Sequence, residues 1–147
     1  MSDGHTLRMQ RTYNASAERV FDAWTSEEVM RRWWHAGHDW HTTEAEVDLR
    51  IGGTIRVTMH DPHKDKQVVG GGQYVEIQRP TRLVFTWLWD GTDRRQMIEI
   101  DFEEKDGSTT LRFAHRNLWD EAAVRDHDMG WGVCFDNLER ALQELPR

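Results

Sequence analysis

Eight histidines, one cysteine and four serines are the side chains of this 147-residue chain best suited to proton transfer, metal ligation or nucleophilic attack. His35, His38 and His41 recur at steps of three. Such steps turn successive side chains by about 300° around a helix axis, and no cysteine or carboxylate completes a zinc-type set at a characteristic spacing. Solvated loop histidines are the expectation there, and likewise for His60 and His63 in the polar, proline-broken stretch 60–66. No metal is expected. His115 and His127 differ, because each falls on the inward phase of a patterned segment. Either they satisfy a neighbouring backbone or carboxylate group, which is the expected role with Asp128 beside His127, or one of them orients a ligand carbonyl or hydroxyl. Cys134 lies beside Trp131 and Phe135 and reads as a small buried hydrophobe. Ser2, Ser16, Ser26 and Ser108 lack a nucleophile-elbow context. Glu44, Glu46, Asp48, Glu99, Asp101 and Glu103 take the wet phase of strands, so no flanking carboxylate pair forms without reversing a strand. No catalytic residues are assigned, and an enzyme stands as the less supported reading.

The elements that must position these groups follow from periodicity. Leu7 and Met9 alternate in a first strand over 7–13. Ser16 is placed to cap a helix with Val20, Phe21 and Trp24 on one face, and Ser26 a second with Val29, Met30 and Trp33. Strands follow. Their inward sets are Ala45, Val47, Leu49 and Ile51; Ile55, Val57 and Met59; Gln73, Val75 and Ile77; Leu83, Phe85, Trp87 and Trp89; Ile98, Ile100 and Phe102; and Leu111, Phe113 and His115. Residues 120–145 change period, with Val124, His127, Trp131, Phe135, Leu138, Leu142 and Leu145 forming one stripe of a helix about six turns long that Pro146 ends. A run of antiparallel strands with one dry face needs a cover, and this terminal helix is the only long element available. The fold class is α+β, in one domain over residues 1–147.

Composition narrows the function. Leu, Ile, Val and Phe make up only 29 of 147 residues, but eight tryptophans and six methionines supplement them. Each buried aromatic removes about 150–250 Å² from water, so the core must be built around tryptophan. The net charge of −7 argues against a nucleic-acid partner bound through counterion release. No membrane span or signal core is seen, so a cytoplasmic location is expected. One cysteine excludes an internal disulfide framework.

Several motifs, in this order, carry a resemblance: Val20-Phe21-Asp22-Ala23-Trp24-Thr25, Arg32-Trp33-Trp34 with Gly37, Asp48-Leu49-Arg50 with Gly52-Gly53, Gly72-Gln73-Tyr74, Leu83-Val84-Phe85-Thr86-Trp87, and His127-Asp128 with Gly130-Trp131. Over about residues 7–145 they resemble the family named for the activator of the heat-shock-protein-90 ATPase, in the START-like (SRPBCC) superfamily. The resemblance implies a helix-grip fold, a curved antiparallel sheet of six to seven strands wrapped on a long C-terminal helix. It also implies a cavity between sheet and helix that holds apolar ligands, although some branches are cyclases or hydrolases and one stimulates a chaperone. No counterpart of the eukaryotic activator's separate N-terminal domain is expected, and His35-Ala36-Gly37 replaces a proline common after the paired tryptophans.

The phases above place Leu49, Val57, Val75, Ile100 and Leu111 in the wall of that cavity. The ligand-binding set is Trp33, Phe85, Trp87, Ile98, Phe113, Trp131 and Phe135, with Gln73, His115 and His127 as polar anchors. Trp34, Trp40 and Trp119 do not fit the inward phases and mark where a pocket mouth or a partner surface is to be sought. The leading expectation is a binder of a small hydrophobic or aromatic molecule that needs no cofactor. A protein-interaction module, with a chaperone as partner, is the rival, and a homodimer is compatible with either.

Overall fold

A computed structural model describes residues 4–145. Seven strands and three helices follow one another in the order the patterning implies: β1 (His5–Tyr13), α1 (Ala17–Thr25), α2 (Glu27–Trp33), β2 (His41–Val47), β3 (Thr54–Asp61), β4 (Lys66–Gln78), β5 (Arg82–Trp89), β6 (Gln96–Lys105), β7 (Ser108–Leu118) and α3 (Glu121–Glu144). The Ser16 hydroxyl accepts from the Arg19 amide at 3.2 Å, and that of Ser26 from the Val29 amide at 3.3 Å, so each serine caps its helix. Asp120 does the same for α3 through the Ala123 amide at 2.7 Å. Pro146, expected to end α3, lies outside the described residues.

The strands form one antiparallel sheet in the order β1-β7-β6-β5-β4-β3-β2. All neighbours except β1 and β7 are consecutive, and the two short helices span from one edge of the sheet to the other. The helix α3 lies on the apolar face and packs against α1, α2, β1 and β7. This is the helix-grip arrangement. Arg19 holds the end of α3 by donating to the Leu142 carbonyl at 2.7 Å, and the Tyr13 hydroxyl donates to the Phe135 carbonyl at 3.2 Å. On the wet face, Arg82 bridges Glu76 at 3.1 Å and Asp101 at 3.0 Å, confirming the solvated phase of Asp101.

Two of the sequence-based phases fail. Leu49 and Ile51 are 41% and 63% exposed, because β2 ends at Val47 and the chain turns through Asp48–Gly53 before β3. Gln73 and Val75 also point outward, whereas Tyr74 is 1% exposed and faces the core. The three glycines do not interrupt β4. Instead the strand runs through them with Gly70 opposite Trp89, and a bulge between Tyr74 and Glu76 shifts its pairing with β5 before Ile77 meets Leu83. One extra residue on one strand reverses the facing of everything on that side of it. Gly70 is required by its neighbour: a Cβ there would lie 2.5 Å from the Trp87 ring.

The core is a stack of indoles. Trp24 meets Trp33 at 4.6 Å between ring centroids and Trp131 at 5.8 Å, while Trp34 stacks on Trp87 at 5.4 Å. Trp24, Trp33, Trp34 and Trp87 are fully buried. Trp34, expected near a mouth, thus belongs to the core as much as to the cavity described next.

Candidate functional site

Along α3 the side chains turned to the sheet fill their space unevenly. Phe135 and Leu138 fill their space, whereas Gly130, with no side chain, and His127, half-buried, do not. From β4 only Val68 reaches the lining. The result is a cavity of about 350 Å³ under the N-terminal half of α3, within the range of about 300–1,000 Å³ usual for small-molecule sites. Trp34, Met59, Trp131 and Cys134, all buried, form its floor. Ala36, Trp40, Val68, Trp89 and Gly130 form its walls. Trp119, 46% exposed, and the exposed Asp126 stand at its rim with His127.

Two histidines brace the walls. An indole N–H can only donate, so the Trp131 Nε1–H, 3.1 Å from His115 Nδ1, fixes that nitrogen as an acceptor. The His115 proton then sits on Nε2 and is donated to Gln96 Oε1 at 2.7 Å. By the same logic the Trp89 Nε1–H donates to His127 Nε2 at 3.1 Å, and His127 Nδ1–H donates to the Ala123 carbonyl at 2.7 Å. Both rings are therefore neutral. Burial, with His127 adding a smaller contribution, pushes the pKa of His115 down to about 3. Burial also lowers that of His127, against the opposing pull of the Ala123 carbonyl and Asp126. Every nitrogen of the two imidazoles is spent inside the protein. Burial holds the Cys134 thiol well above its ordinary pKa, so it contributes surface and no nucleophile at neutral pH.

The residues named from sequence divide accordingly. His127 and Trp131 line the cavity, and Trp34, Trp40 and Trp119 join them. His115 lies behind the wall, touching Trp131. Trp33, Phe85, Trp87, Ile98, Phe113 and Phe135 are buried in the packed core beyond the cavity lining. Trp33 is held there by its N–H donating to the Ala23 carbonyl at 2.9 Å. Gln73 is exposed on the opposite face of the sheet, where its backbone N–H donates to Thr86 Oγ1 at 2.9 Å, and it is absent from the lining, so it is no anchor for a ligand in this cavity. Sequence patterning passed over Ala36, Met59, Val68, Asp126 and Gly130 as lining residues. Met59 and Gly130 carried a signal, an inward strand phase and the His127–Trp131 turn, but nothing in either marks the edge of a void.

The remaining histidines are scattered. His35 is half-buried with its Nδ1 3.4 Å from Thr42 Oγ1, His41 opens β2, and His63 pairs with Asp39 at 2.8 Å. His35 is thus a loop histidine but not a solvated one, whereas His41 is exposed as expected but stands on a strand. Among the described residues no group of three histidine, cysteine or carboxylate side chains is placed to hold a metal ion. Nor is any helix there long and apolar enough to cross a membrane.

A helix gripped by a seven-stranded antiparallel sheet, with a cavity between them, is the helix-grip fold expected of START-like proteins. Residues 14–143 match the family described as Activator of Hsp90 ATPase homolog 1-like protein, and the chain belongs to that family. Solved structures share the fold. A protein from Chromobacterium violaceum superposes with a TM-score of 0.84 at 20% identity, covering 92% of this chain and 96% of the other. One from Rhodobacter sphaeroides gives 0.84 at 22% identity over 99% of both chains. An AHSA1-like protein from Aeromonas hydrophila gives 0.75 at 24% identity, over 93% and 92%. No curated protein matches the chain in sequence.

Proposed function

We propose that this protein binds, without transforming it, a small hydrophobic molecule with a flat or aromatic body in the cavity under α3. The observation that carries this reading is a space of about 350 Å³ walled by five tryptophans. Apolar burial at about 25 cal/mol per Å² would supply the affinity, and rigid rings hold the space open at little entropic cost on binding. A binder is favoured over a cyclase or hydrolase because the imidazoles nearest the cavity have no free nitrogen and the thiol there stays protonated. A co-chaperone-type interaction module is the second reading, and the exposure of Trp119 and Met129 near the same end of α3 favours it.

Calorimetric titration with 2-naphthol, uncharged at neutral pH, tests the leading reading. One molecule should bind per chain, and Val68→Phe, which fills the cavity from its wall, should abolish the signal while leaving the melting temperature within a few degrees. Equal binding by Val68→Phe, or no binding by the parent, would overturn it.

A further inference from the structure

The polar character of the cavity is one-sided. Trp89 and Trp131 have already committed their N–H groups to His127 and His115, and both imidazoles are neutral. Among the described residues no lysine or arginine lines the space. The one formal charge on its lining is Asp126, whose carboxylate makes no ion pair or side-chain hydrogen bond among the described residues. It lies one helical turn before Gly130, on the same face of α3, and both border the space. Trp89 and Trp119 both pack against the ring of the neighbouring His127, at 5.9 and 5.5 Å between centroids, and Trp40 shares the lining. Electron-rich rings with a lone carboxylate attract a cation and repel an anion, and desolvation in a tryptophan-lined site strengthens the attraction. The chain's net charge of −7 acts in the same direction at longer range.

We propose that the molecule this cavity takes carries a cationic head, a quaternary or protonated amine, seated among the rings of Trp40, Trp89 and Trp119 beside Asp126, with its apolar body on the Trp34–Trp131 floor. This rests on the reading that the cavity takes a small apolar molecule, and it adds the charge. Anionic ligands, which include fatty acids and most phosphorylated metabolites, are disfavoured by the same arrangement.

The test compares benzyltrimethylammonium with neopentylbenzene, its uncharged isostere, by tryptophan-fluorescence titration of the full chain. The cation should bind about tenfold more tightly than the isostere. In Asp126→Asn, a change at an exposed position, that preference should shrink by about threefold or more while affinity for the isostere holds. Equal binding of the two probes, or tighter binding of the isostere, would overturn the charge assignment and leave the apolar-ligand reading standing. A preference unchanged in Asp126→Asn would overturn the role of the carboxylate. Failure of both probes to bind would overturn both readings together.

Discussion

The two ends of the space between sheet and helix are built from the same residue type and have opposite character. Under the C-terminal half of α3, Trp24, Trp33, Phe113 and Phe135 meet ring against ring, with Trp24 and Phe135 6.2 Å apart and Phe113 and Phe135 5.3 Å apart. Under its N-terminal half, Trp40, Trp89 and Trp119 edge a void. Their polar groups differ as well. The filled end buries the Trp24 N–H group with no acceptor among the described residues, a cost of about 1–3 kcal/mol. At the open end, Trp89 and Trp131 are paired with neutral histidines. Packing at the filled end thus outweighs an unsatisfied N–H, whereas the walls of the open end are held by hydrogen bonds that are made.

Trp24→Ala strikes the filled end and should cost about 3–5 kcal/mol, the usual penalty for truncating a fully buried aromatic. Chemical denaturation measures it. Trp24→Phe should cost clearly less, because it keeps much of the ring volume and the N–H it loses has no partner to strand; equal costs for the two would contradict a packing role for the ring.

Gly70→Ala lies between the ends, where a methyl group would displace the Trp87 ring from 2.5 Å. A loss of about 1–3 kcal/mol is expected from such overpacking, read as a lower denaturation midpoint.

Acid should act through the open end. With its pKa pushed from the usual 6.5 down to about 3, His115 stays neutral in the folded chain while its unfolded counterpart takes up a proton. Stability from this group is full above pH 6.5 and falls as pH drops toward 3, by up to about 1.4 kcal/mol per pH unit. His115→Gln should flatten that part of the stability profile by about one proton. An unchanged slope would contradict the buried, neutral ring.

Trp119→Ala should have the smallest effect on stability, within about 0.5 kcal/mol for a rim residue this exposed. It should nevertheless weaken 2-naphthol binding severalfold in the calorimetric titration. A large loss of stability would instead place Trp119 in the core.

Most of the fold could be read from the sequence because strand alternation and helix caps are local. Ser16, Ser26 and the inward phases of β3, β5, β6 and β7 are where the patterning puts them. The phases failed where one residue decides the facing, at the turn after Val47 and at the bulge beyond Tyr74. The cavity was harder. Apolar patterning names Trp131 and Phe135 alike as inward, yet one borders the void and the other closes it. What separates them is the summed size of side chains contributed by β3, β4, β5 and α3, elements far apart along the chain. Trp40 and Trp119 stood out only because they fitted no stripe, and both border the cavity. Gln73 misled because the bulge that turns it outward leaves no mark in its alternation.

The division into a filled and an open end is tested most directly by the eight indole N–H resonances in a nitrogen–proton correlation spectrum, recorded during titration with 2-naphthol. The signals of Trp34, Trp40, Trp89, Trp119 and Trp131 should move with a common affinity, while those of Trp24, Trp33 and Trp87 stay in place. Movement led by Trp24 and Trp33, or no movement at all, would contradict a ligand-accepting cavity under the N-terminal half of α3.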